Sequence, residues 1–130
     1  MRLYEIQSLD VPYYMEEACG IYAMALSNIN PGGFIFILSD DYGDEWSSSI
    51  PYEITHVFYS LNNELFDAKG KRTIQSMAED FNLLKYSIKG PFHPNEFYQR
   101  FMGSSNNKPL YGNKADIKKC IQEIKSIISK

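Results

Sequence analysis

The sequence contains few of the residues that usually bind metals or form disulfides. Its 130 residues include two cysteines, Cys19 and Cys120, and two histidines, His56 and His93. Two cysteines so far apart, in a chain that does not look exported, predict free thiols. Because the two histidines and two cysteines are scattered, they have no zinc-ligand spacing, and we expect neither a metal nor another cofactor.

Long apolar runs and excess positive charge are also missing. No apolar run approaches the roughly 20 residues of a membrane-spanning helix. The first five residues include a glutamate and no long apolar stretch follows them, unlike in a signal peptide. We therefore expect a cytoplasmic protein. The net charge of −3 and the pI of about 5.3 argue against electrostatic capture of nucleic acid. The expected partner is a protein or peptide, with no nucleic acid and no membrane.

Apolar and aromatic residues, in contrast, are abundant. Hydrophobic residues make up 44% of the chain and aromatic residues 15%, which excludes a disordered chain because disordered chains bury too little apolar surface. A chain of this length supports one core. The sequence therefore predicts a single domain over residues 1–130.

The hydrophobic pattern predicts helices on either side of a β-rich centre. A first helix is expected over 15–28, before Pro31 and two glycines, and a polar loop containing Trp46 over 39–51. Predicted strands cover 3–6, 34–38, 54–61, 64–67 and 85–88; further helices begin after Thr73, at Pro94 and at Ala115. Gly90-Pro91 is expected to interrupt the chain. The order predicts an α+β fold with a small antiparallel sheet.

Two strands are expected to bring a histidine and an aspartate together. A two-residue turn at positions 62–63 places Phe58 opposite Asp67. His56 lies two residues from Phe58 and therefore on the same face, diagonal to Asp67 at a backbone separation of about 7–8 Å. An imidazole and a carboxylate can close that gap with a hydrogen bond, which would fix the tautomer of the ring.

Cys19 is the candidate nucleophile of the same group. It lies near the start of the first predicted helix, where the helix dipole favours negative charge. A thiol is a useful nucleophile only as the thiolate, which a neighbouring imidazolium also favours. Cys19, His56 and Asp67 are therefore the predicted catalytic residues.

Three short motifs resemble those of papain-like and transglutaminase-like cysteine enzymes. They are Ala18-Cys19-Gly20-Ile21-Tyr22-Ala23, Thr55-His56-Val57-Phe58-Tyr59 and Leu65-Phe66-Asp67-Ala68-Lys69-Gly70. The chain is similar, more closely, to short uncharacterised proteins of bacteria and phages that carry a Cys helix, a His strand and an Asp-x-x-Gly turn. The resemblance covers roughly residues 17–81 and implies a papain-like fold with Cys19 as nucleophile, His56 as acid and base, and Asp67 as its orienting group.

Two positions depart from the papain pattern. Papain-type enzymes usually have Trp directly after the cysteine, where this chain has Gly20, and an oxyanion-hole glutamine a few residues upstream, where the nearest candidate is Gln7. The backbone N–H of Cys19 and one further donor would then stabilise the oxyanion.

Other interpretations of these residues are also open. A buried free cysteine is commonly structural, and an aspartate before a Gly turn can serve as a turn cap. Cys120 belongs to an isoleucine-rich stripe and is interpreted as structural. His93, before Pro94, is expected to be a helix cap or an exposed residue and not a ligand. The alternative function is a papain-like protein-binding module without catalysis, such as a phage-type inhibitor of a host defence protein. A third possibility is self-association through the isoleucine-rich last helix.

Overall fold

The computed structural model describes residues 11–16, 18–40, 54–103, 110 and 112–128. This part of the chain forms an antiparallel sheet with helices, as the α+β prediction required. The helices and strands follow one another in the order α1 (Val11–Glu16), α2 (Cys19–Ile29), β1 (Phe34–Asp40), β2 (His56–Leu61), β3 (Glu64–Asp67), β4 (Gly70–Arg72), α3 (Ile74–Asp80), β5 (Tyr86–Phe92), α4 (Pro94–Phe101) and α5 (Lys114–Ile128).

The sheet has five antiparallel strands in the order β4-β3-β2-β1-β5. β2 and β3 form the predicted hairpin, in which Asn62 and Asn63 make the turn with positive φ values of 53° and 66°. Asparagine tolerates this left-handed conformation better than most residues, and two such residues in succession give the turn twist that suits a hairpin. The predicted register is confirmed as far as the Tyr59–Phe66 pair.

The two faces of the sheet are covered by different helices. α2 is buried over most of its surface and packs against Ile35, Ile37, Val57 and Tyr59 of β1 and β2, with α5 packed against α2. On the opposite face, Leu38 and Phe58 form a second cluster with Met77 of α3. Residues of one strand that differ by an odd number of positions point to opposite faces, which explains the separation. In α5 the side chains of Ile117, Cys120 and Ile124 are buried in the main core.

Several predicted boundaries of helices and strands were wrong. The predicted first helix is divided into α1 and α2, and β1 continues through Ser39 and Asp40, where a loop was expected. β4 was not predicted. β5 continues through Gly90 and Pro91 to Phe92, so the expected break does not occur. Proline is tolerated there because β5 is an edge strand, where a missing N–H need not cost a ladder hydrogen bond.

The predicted helix starts after residue 73 and at Pro94 are confirmed. The Thr73 hydroxyl accepts from the backbone N–H of Ser76, and the Ser76 hydroxyl accepts from that of Thr73, which is a capping box. Pro94 begins α4 after His93. The predicted strand at 3–6, Gln7 and the Trp46 segment lie outside the described residues. Within the residues that the structure describes, no helix is both long and apolar enough to cross a membrane.

Candidate active site

The three predicted site residues all lie at ends of secondary-structure elements. Cys19 is the first residue of α2, His56 the first residue of β2, and Asp67 the last residue of β3. All three are buried. The antiparallel pairing of β2 with β3 brings the start of one strand beside the end of the other, and α2 packs against both strands.

His56 and Asp67 form a buried hydrogen-bonded pair. Nε2 of His56 lies 2.9 Å from Oδ2 of Asp67, and the two side chains are 0% and 3% exposed. Because an ionised carboxylate has no proton to donate, the hydrogen of this bond belongs to Nε2. The diagonal contact predicted from the hairpin register is therefore present.

The surroundings of His56 favour its charged form. Burial, the largest influence, lowers the pKa of the imidazole because it removes water from the cation. The hydrogen bond with Asp67 and the interaction with the Cys19 thiol raise it, and together they outweigh burial, so that the pKa rises from 6.5 to about 9. Cys19 is thus close enough to the ring to interact with it.

The second ring nitrogen faces a different environment. Nδ1 of His56 is buried, and it makes no hydrogen bond of ordinary distance and angle with any of the described residues. Since Nε2 is bonded to Asp67, Nδ1 is the ring nitrogen left for a further donor or acceptor. The ring of Phe81 lies against the imidazole, with 5.0 Å between ring centroids, and limits its movement.

Asp67 has two further donors that were not predicted. Its Oδ1 accepts the backbone N–H of Lys69 at 2.8 Å. Nη1 of Arg72 lies 3.1 Å from Oδ2 and 3.3 Å from Oδ1, and the Arg72 side chain is only 8% exposed. A two-residue turn at 68–69 pairs Leu65 with Arg72 and puts Arg72 on the face of Asp67. Recognition of this turn in the sequence could have predicted that Arg72 lies beside Asp67.

The start of α2 offers hydrogen-bond donors beside the thiol. The first N–H groups of a helix have no partner within the helix, and Ala18, at the N-cap position, provides no side-chain cap. The backbone N–H of Cys19 belongs to this first turn. A Cβ added at Gly20 would lie 3.3 Å from both Sδ of Met102 and Cδ1 of Leu110. A large side chain at this position would have to displace Met102 and Leu110.

The other cysteine and histidine lie elsewhere. Cys120 is buried in the core beside α2, and burial raises the pKa of its thiol to about 12. His93 accepts the backbone N–H of Asn95 through Nδ1 and so caps α4, as predicted. Among the described residues, no three His, Cys, Asp or Glu side chains are grouped as ligands of one metal ion.

No protein-family model, curated protein or solved structure matches the chain.

Proposed function

We propose that the protein is a cysteine-dependent hydrolase or acyl transferase of the peptidase, amidase or transglutaminase kind. Cys19 is the nucleophile, His56 the general acid and base, and Asp67 the group that orients His56. The observation that carries this proposal is the environment of His56, whose ring interacts with a carboxylate and with a thiol. This is the arrangement in which a base activates a nucleophile and a third group holds the base.

The first half of the reaction forms a thioester. The reactive form is an ion pair in which His56 holds the proton of the Cys19 thiol, as its raised pKa of about 9 favours, and the thiolate attacks the carbonyl carbon of an amide substrate, forming a C–S bond. The negative charge that develops on the carbonyl oxygen is stabilised by the N–H of Cys19. When the C–N bond breaks, the imidazolium of His56 gives its proton to the leaving amine.

The second half regenerates the thiol. A water molecule or an acceptor amine attacks the thioester while His56 removes its proton, and the C–S bond breaks. The imidazolium then returns a proton to the Cys19 thiolate. Water as acceptor gives hydrolysis and an amine gives acyl transfer, so peptide, isopeptide and glutamine side-chain amides are the substrate classes that suit this chemistry.

A papain-like arrangement is part of the same proposal. It is supported by the chain order Cys19, His56, Asp67 and by a cysteine at the first residue of a helix that packs on an antiparallel sheet. The glycine at position 20 is the clearest departure, and its contacts with Met102 and Leu110 give it a local reason.

Selective alkylation tests the proposal directly. With excess iodoacetamide at pH 7, we expect Cys19 to react about tenfold or more faster than Cys120, because thiolate content governs the rate. Peptide mass spectrometry measures both rates in one sample. In H56A the advantage of Cys19 should disappear, whereas C120S, the matched control, should leave the Cys19 rate unchanged. Equally slow reaction of both cysteines in the wild-type protein would contradict catalysis.

The burial of the site favours a second candidate function. Cys19 is 5% exposed and His56 is 0% exposed, which suits a non-catalytic protein-binding module in which the three residues stabilise the fold. Such a module acts by occluding a partner protein, as an inhibitor does. C19A separates the two functions, because a binding module keeps its biological effect without the thiol and an enzyme loses it.

A further inference from the structure

Every nitrogen of the Arg72 guanidinium has an assigned acceptor. Nε donates to Oγ of Ser76 at 3.3 Å, Nη1 to Asp67, and Nη2 to Oδ2 of Asp80. Two of these acceptors, Ser76 and Asp80, belong to α3. The capping box between Thr73 and Ser76 fixes the first turn of this helix. Arg72 therefore connects a capped helix to the carboxylate that contacts His56.

Asp80 is placed where a helix disfavours an acid. It is the last residue of α3, and the negative end of the helix dipole destabilises a carboxylate there. Burial also acts to raise its pKa, but Arg72 and Lys69 outweigh burial and hold the pKa below the usual value of 3.8. The charge of Asp80 is thus maintained by its two cationic partners.

Asp80 also determines how Arg72 approaches Asp67. Because Nη2 is committed to Asp80, only Nη1 contacts Asp67, and it lies between the two carboxylate oxygens at 3.1 and 3.3 Å. This leaves Oδ2 able to accept from His56 and Oδ1 able to accept from the backbone of Lys69. Rotation of the carboxylate would break several of these bonds at once.

We infer that Arg72 is a positioning residue that fixes the carboxylate plane of Asp67 and thereby the His56 ring, with Ser76 and Asp80 aligning the guanidinium. The effect on Cys19 chemistry rests on the proposed function; the effect on the His56 ring does not. A lysine cannot replace this role fully, since an ammonium is a point charge without the planar fork that reaches three acceptors.

Two measurements on matched variants test the inference. Proton–nitrogen NMR of protein labelled with ¹⁵N in its histidines reports the His56 Nε2–H proton, and His93 provides an internal reference. Iodoacetamide alkylation across pH 6–9 reports Cys19. The variants are R72M, R72K and, as control, K71M, which removes an exposed cation of the same strand that pairs with Glu64 and not with Asp67 or Asp80.

The expected results differ between the variants. R72M should lose the sharp Nε2–H signal to exchange with water and slow Cys19 alkylation at pH 7 by about tenfold, because a less well oriented imidazolium favours the thiolate less. R72K should show an intermediate loss of both, and K71M should match the wild type. If R72M does not fold, the same two readouts on R72K decide the question.

A folded R72M or R72K that keeps the wild-type Nε2–H signal and alkylation profile would overturn the inference. If the proposed function is wrong, the experiment gives a different result: Cys19 then shows no selective alkylation even in the wild-type protein. The NMR comparison still reports in that case whether Arg72 positions His56. An equal loss in K71M would also contradict the inference, since it would assign the effect to the general positive charge of β4.

Discussion

The imidazole of His56 and the carboxylate of Asp67 meet at 2.9 Å across a hairpin, eleven residues apart in sequence. Both side chains are buried. Each loses its hydrogen bonds with water on burial, and the hydrogen bond between them replaces part of that loss. Burial of a charged pair is costly unless the remaining hydrogen-bonding positions are also satisfied. Asp67 meets this condition through Lys69 and Arg72.

Asp67→Asn removes the charge of this side chain but keeps its shape. The amide is almost the same size, but it removes the negative charge that favours the imidazolium, so we expect the pKa of His56 to fall from about 9 to its usual 6.5 or below. At pH 7 Cys19, the proposed nucleophile, then loses its cationic neighbour, and alkylation should slow by about tenfold or more. An NMR titration of His56 measures the pKa.

Asp80→Asn is the matched control for Asp67→Asn. Both residues bind Arg72, but only Asp67 contacts His56. Asp80→Asn should therefore lower the pKa of His56 much less than Asp67→Asn does, because it loosens Arg72 but keeps the charge of Asp67 and its hydrogen bond with His56. If the two variants lowered the pKa of His56 equally, the direct hydrogen bond would not be its cause.

The stability of the protein should fall as the pH rises from about 6.5 to 9. A pKa that is higher in the folded state, here about 9 against 6.5 for an unperturbed histidine, means that the folded state binds the proton more tightly. The resulting stabilisation is fully present below the unfolded pKa and is lost as the pH rises through the folded pKa. The expected decrease in the free energy of unfolding is roughly 3 kcal/mol, measurable by urea denaturation at several pH values.

His56→Asn provides the control for this pH dependence. It removes the titrating group and should flatten the stability profile between pH 6.5 and 9. Cys120 contributes little in that range, because its pKa is raised from 9.0 to about 12 and its effect on stability begins only near pH 9. A profile in His56→Asn as steep as that of the wild type would show that other groups cause the decline.

The hairpin was predictable because it depends on local rules. Two asparagines between alternating strands determine the turn, the turn determines the register, and the register places His56 diagonal to Asp67. The start of α3 was predictable for a similar reason, since Thr73 is a good cap residue within a few positions of the groups it binds.

The remaining parts of the site depend on packing that the sequence pattern does not contain. Cys19 lies near the His56 ring because α2 packs on the sheet. This packing joins segments that are distant in sequence. Arg72 was missed because β4 has only three residues, too few for a hydrophobic alternation to show. The strand through Gly90 and Pro91 was missed because the sequence does not reveal which strand lies at an edge.

Gly20, in α2, and Gly112, which packs against α2, should respond differently to alanine. At Gly112, φ is +121° and a Cβ would lie 2.4 Å from Cγ1 of the buried Ile21, so we expect Gly112→Ala to lower the free energy of unfolding by about 2 kcal/mol or more. At Gly20 a Cβ would meet only the side-chain ends of Met102 and Leu110 at 3.3 Å. Alanine's better helix propensity, worth up to about 1 kcal/mol, should offset that contact.

Urea denaturation of both variants measures this difference. Because Ile21 follows Cys19 by two residues on α2, displacement of Ile21 in Gly112→Ala should also move the thiol away from His56 and slow its alkylation. Gly20→Ala should keep both the stability and the Cys19 rate close to those of the wild type. Equal destabilisation by the two substitutions would mean that close packing at Gly20, and not the backbone and Ile21 contact at Gly112, limits how α2 sits on the sheet.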